Sequence, residues 1–66
     1  MKAYVYNTET REVAAEIKGD NNQSIEAKFN EIGYDTDIYG LTYSPAFGTN
    51  EGLITDGDFE IIDVRG

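Results

Sequence analysis

The chain has 66 residues with thirteen acids, five bases and a formal net charge of −8, and it contains no histidine, cysteine or tryptophan. At this length only about 60% of the unfolded surface can be buried, so a single domain over 1–66 is expected. The absent side chains exclude a disulfide framework, a Cys/His zinc site and His- or Cys-based nucleophilic chemistry, leaving carboxylates, hydroxyls and three lysines.

An apolar content of 39% with eight aromatics separates the chain from a disordered acidic tail. No run approaches the ~20 apolar residues that span a bilayer, and residues 1–7 alternate without an apolar h-region. A cytoplasmic protein is therefore expected. Asn22-Gln23-Ser24 matches a glycosylation sequon, but nothing else points to secretion. Charge is uneven along the chain. Residues 1–28 hold five acids and four bases, a net of −1; residues 29–66 hold eight acids and only Arg65, a net of −7. A field of that sign repels phosphate backbones and anionic membranes, so neither direct nucleic-acid binding nor membrane binding is expected.

In chain order, residues 2–6 alternate Ala3 and Val5 against Tyr4 and Tyr6, a strand pattern. A polar turn at 7–10 follows. Residues 12–18 alternate again, with Val13, Ala15 and Ile17 on one face, and the two runs read as a β-hairpin. Residues 19–24 break the pattern and carry helix-start chemistry: Asp20 and Gln23 have capping-box spacing, and Ser24 is a second N-cap candidate. Ile25, Phe29 and Ile32 recur at i, i+4, i+7, which predicts a helix over about 21–32. Gly33 suits a left-handed C′ residue, with Tyr34 placed to pack on Phe29.

Residues 35–37 form a loop, and 38–44 read as a strand with Tyr39, Leu41 and Tyr43 on one side, ended by Pro45. The nine-residue connection 44–52 carries Phe47 and exceeds the usual hairpin loop; it is either a binding loop or a flap folded onto the sheet. Asp56-Gly57 predicts a type I′ turn between 53–55 and 58–64, with Ile54 opposite Phe59. The expected fold is thus α+β: about four or five antiparallel strands in ββαβββ order, with one helix packed on one face.

One short helix covers one face. Val5, Val13, Ala15, Ile17, Ile25, Phe29, Ile32, Ile54, Phe59 and Ile61 form the natural helix side. Tyr4, Tyr6, Ile62 and Val64 are left for the second face, and strand parity alone does not say which face the Tyr39 row joins. A second face of that character meets a second copy or another protein. The expected partner-binding residues are accordingly Tyr4, Tyr6, Tyr39, Leu41, Tyr43 and Phe47, against the alternative of ordinary cross-strand packing.

Asp35-x-Asp37 with Gly40 resembles the opening of a calcium loop, but the fifth position is Tyr39 and the twelfth is Ala46 where a bidentate Glu is needed; a polar loop with an Asx turn explains it. Asp56, Asp58 and Glu60 alternate as a carboxylate row, yet no pocket is in prospect, and no catalysis, metal or cofactor is expected. Asp35, Asp37, Asp56, Asp58 and Glu60 could instead present charge where nucleic acid would lie. Two functional readings follow. The first is a small acidic non-enzymatic interaction module, self-associating or binding another protein through a tyrosine-bearing face. The second is an acidic inhibitor, of the kind mobile elements encode, that blocks a basic nucleic-acid-binding protein.

Overall fold

Strand-forming residues flank a turn that the side chain of Asn7 organises. Its Oδ1 accepts from the N–H groups of Glu9 (2.8 Å) and Thr10 (3.1 Å), and its carbonyl accepts from Arg11 N–H (2.7 Å). Arg11 closes the turn in the left-handed region, at φ 66°. The result is the expected hairpin, β1 (Lys2–Asn7) antiparallel to β2 (Val13–Lys18). The computed structural model describes residues 1–43, 53–54 and 57–65. The helix α1 (Asn22–Ile32) follows, then β3 (Tyr39–Thr42) and β4 (Glu60–Asp63), in a four-stranded sheet ordered β3-β1-β2-β4. The α+β class, with one helix and a small sheet, is as expected.

Two details of the hairpin and helix depart from the sequence reading. Val5 pairs with Ala15 but Tyr6 pairs with Val13, so Ala14 is an extra residue in β2, a β-bulge. The bulge reverses the parity of everything before it, and Val13 turns to the tyrosine side instead of joining Ala15 and Ile17. At the helix start the cap is Asn21, one residue after the expected Asp20. Its Oδ1 accepts from Ser24 N–H (2.9 Å), and Ser24 Oγ accepts from Asn21 N–H (3.3 Å), a reciprocal capping box. Asn21→Ala should therefore cost about 1 kcal/mol of stability, read as a lower urea midpoint with an unchanged slope. Gly33 ends the helix at φ 83°, and Tyr34 stacks on Phe29 with ring centroids 6.2 Å apart, both as the spacing predicts.

The larger correction concerns β4. Ile54 accepts from Val13 N–H (3.0 Å) and donates to the Arg11 carbonyl (2.8 Å), bridging Glu12 in parallel. Farther along the same edge β4 pairs with β2, again parallel, from Ala15↔Glu60 to Lys18↔Asp63. Ile54 and β4 thus run in succession along β2 in one direction. The expected antiparallel hairpin of Ile54 against Phe59 is not formed, and the sheet is mixed. Thr55 and Asp56 lie outside the described residues.

The topology explains how both faces are covered. β3 and β4 both run parallel to β2, so each is reached by a crossover. The first crossover carries α1 over one face, and Leu53 and Phe59, which precede β4, lie on the other. On one face the helix packs Ile25 against Ala3, Val5, Ala15 and Ile17, all fully buried, with Phe29, Tyr34, Tyr39, Leu41, Ile62 and Val64 around them. On the other, Leu53 joins Tyr4 and Val13, flanked by Tyr6 and Phe59. Phe59 and Val13 therefore leave the helix side, and Ile62 and Val64 enter it, opposite to the parity expected from a final hairpin. Ile32, Ile54 and Ile61, also expected in the core, are 37%, 40% and 60% exposed.

Candidate interaction surfaces

The tyrosines do not form one face. Tyr4 is buried at 8% exposure beneath Leu53. Tyr6 lies across Gly40, its cross-strand partner, so closely that a Cβ there would stand 2.9 Å from the ring. Tyr39 and Leu41 face the other way, into the helix-side core, where Tyr39 meets Tyr34 at a centroid distance of 5.1 Å. Tyr43 follows them at the sheet edge and is 40% exposed. Its hydroxyl pKa is raised by partial burial and then by the Glu26 carboxylate. Tyr34 is raised in the same way, by burial first and Glu60 and Tyr39 next. Phe47 and the rest of the 44–52 connection lie outside the described residues.

The acids divide as well. The Asp35 carboxylate accepts from Asp37 N–H (2.9 Å) while its carbonyl accepts from Ile38 and Tyr39 N–H (3.0 and 2.8 Å), so the expected Asx turn starts β3. Asp58 precedes β4 and Glu60 opens it, at the opposite edge of the sheet from Asp35 and Asp37. Their strands lie three steps apart in the sheet, about 14 Å at ~4.8 Å per step. Asp56 lies outside the described residues. Among the described residues no three carboxylates stand as a metal-binding group.

The strand directions instead create two unlike ends. β1 finishes where β2 and β3 begin, so the turn bearing Glu9, Arg11 and Glu12 lies beside Asp35 and Asp37. Thr8 ties the two segments together, donating to the Ile38 carbonyl from its N–H (2.9 Å) and its Oγ1 (2.8 Å). Glu9, Glu12, Asp35 and Asp37 are all exposed there. A hollow of about 250 Å³ opens at this end, lined by Asn7, Thr10, Glu12, Val13, Ala14 and Tyr39. The opposite end collects bases. Lys2 and Lys18 are cross-strand partners, and with Met1 and Arg65 they line a hollow of about 370 Å³. There Arg65 grips Asp63 at 2.9 and 2.6 Å, and the hydrogen bonds it donates hold the Asp63 pKa down to about 2. Lys18 stands 3.9 Å from the buried Glu16.

No local sequence signal singles out Glu9 and Glu12. They sit more than twenty residues from Asp35, and only the pairing of β1 with β3 brings the two pairs together. Comparison of the chain with protein-family models, with curated proteins and with solved structures found no match in any of the three.

Proposed function

We propose that this protein is a non-enzymatic interaction module whose acidic end docks on a basic protein surface of the kind nucleic acid occupies. The observation that carries the reading is the polarity of the fold: Glu9, Glu12, Asp35 and Asp37 gather at one end, while three of the five bases gather at the other. The hollow at the acidic end suits such a partner. It offers a long basic side chain a carboxylate, Glu12, with Asn7, Thr10 and Tyr39 around it. A tyrosine face as the main docking surface is less favoured, because Leu53 and Phe59 already lie against Tyr4 and Tyr6.

The test uses an arginine-rich peptide as probe. Binding should weaken steeply as salt rises, since exposed charges are screened beyond ~10 Å at 0.1 M. The variant Glu9→Gln/Glu12→Gln/Asp35→Asn/Asp37→Asn should lose at least about tenfold in affinity, which is ~1.4 kcal/mol. Removing the same charge elsewhere, by Glu26→Gln/Glu31→Gln/Asp58→Asn/Glu60→Gln, should matter much less. Equal losses from the two sets would mean the probe senses net charge only, and would sink the proposal.

A further inference from the structure

Sheet ends in this protein are treated differently. β4, at one edge, presents the exposed acids Glu60 and Asp63, with Asp58 just before it and Arg65 after. Charges on an edge strand discourage another chain from pairing with it. β3, at the other edge, reads Tyr39-Gly40-Leu41-Thr42 and then Tyr43, with no charge. We infer that β3 is a self-pairing edge: β3 of a second copy adds to it antiparallel, with Leu41 opposite Leu41 and Tyr39 opposite Tyr43.

The hydrogen-bond alternation selects this register. Thr8 N–H donates to the Ile38 carbonyl, so Ile38, Gly40 and Thr42 turn their main-chain groups toward β1. The N–H and C=O of Leu41 accordingly point outward, where among the described residues no further strand pairs. An antiparallel partner related by a two-fold axis through Leu41 exchanges both of these bonds with its own Leu41. The same axis stands normal to the sheet, so it keeps the helix sides of both copies together. Residues directly opposite must then share a face; Tyr39 and Leu41 lie on the helix side, and continuing the strand alternation puts Tyr43 with them.

The occupant is a second copy because the side-chain row is its own complement. Tyr-x-Leu-x-Tyr read against itself sets aromatic against aromatic on both sides of a leucine pair, a favourable cross-strand arrangement. It also covers Tyr43, a large apolar side chain left 40% exposed. Charge points the same way. Two chains of net −8 repel, and pairing through β4 would bring carboxylates together; the five residues 39–43 pair without opposing any. This inference does not depend on the acidic end: the pairing shares Tyr39 with the hollow there but uses none of its carboxylates.

The chain has no cysteine, so a single introduced thiol reports the register cleanly. In a hydrogen-bonded antiparallel pair the facing Cα atoms are ≈5.5 Å apart, within disulfide range. Oxidised Leu41→Cys should run as a covalent dimer, while Ile61→Cys on the opposite edge should not. Light scattering of the native chain at millimolar concentration should show a reversible dimer, favoured severalfold as salt rises from about 50 mM to about 1 M and repulsion is screened. If Leu41→Cys fails to fold, the exposed variant Tyr43→Asp carries the test, and it should be a folded monomer under conditions where the native chain dimerises. A native chain that stays monomeric throughout overturns the inference. So does cross-linking at Ile61→Cys as efficient as at Leu41→Cys, or a Tyr43→Asp dimer of unchanged strength.

Discussion

Replacing Ile25 by alanine is expected to lower stability by about 2–5 kcal/mol, the range for emptying a fully buried aliphatic site. Ile25 is 0% exposed and is the only buried residue of α1. An eleven-residue helix is marginal in water by itself, so its folding depends on the contact this side chain makes with Ala3, Val5, Ala15 and Ile17. The site also has little freedom to collapse. A Cβ on Gly19 would stand only 2.7 Å from Ile25 Cγ1, which shows how closely the end of β2 wraps the side chain. At ~0.05–0.15 kcal/mol per residue a chain of this size is stable by roughly 3–10 kcal/mol, so the substitution removes a large share. Urea unfolding followed by far-UV circular dichroism measures it. Ile25→Val, which removes one methylene, should cost only ~0.5–1.5 kcal/mol. A loss below that for alanine would mean the helix is held chiefly by Phe29 and Tyr34 instead.

Leu53→Ala is expected to cost about 2–4 kcal/mol, and it tests the more consequential feature of the fold. Leu53 is 9% exposed and closes the second face over Tyr4 and Val13. Its coupling matters more than its size. Residues in contact show interaction energies of ~0.5–3 kcal/mol in a double-mutant cycle, whereas separated residues add. Leu53→Ala should couple to Val13→Ala, which it touches. It should be additive with Ile17→Ala, which lies on the helix side of the sheet. The reverse pattern would place Leu53 in the helix-side core and restore the antiparallel final hairpin.

The elements built from local signals were legible in the sequence. The two alternating runs, the turn at Asn7, the helix, its glycine stop and the Phe29–Tyr34 stack all follow from periodicity and capping chemistry within a few residues. The Asx turn at Asp35 does too. These interactions close over short loops, so a window of sequence holds the groups that make them.

What the tertiary structure decided was direction and side. Asp56-Gly57 carries turn chemistry that a hairpin would use, yet Ile54 bonds to Val13 and Arg11, because β2 offered an open edge that a parallel strand could fill. The bulge at Ala14 moved Val13 across the sheet, a one-residue shift that inverts every side chain before it. The acidic end was equally out of reach. Charge counts along the chain showed where the acids lie in sequence, but Glu9 and Glu12 meet Asp35 and Asp37 only because β3 pairs with β1. Composition and period determined which elements form. Which edges they fill, and which charges stand together as a result, depended on pairings across tens of residues that no local signal encodes.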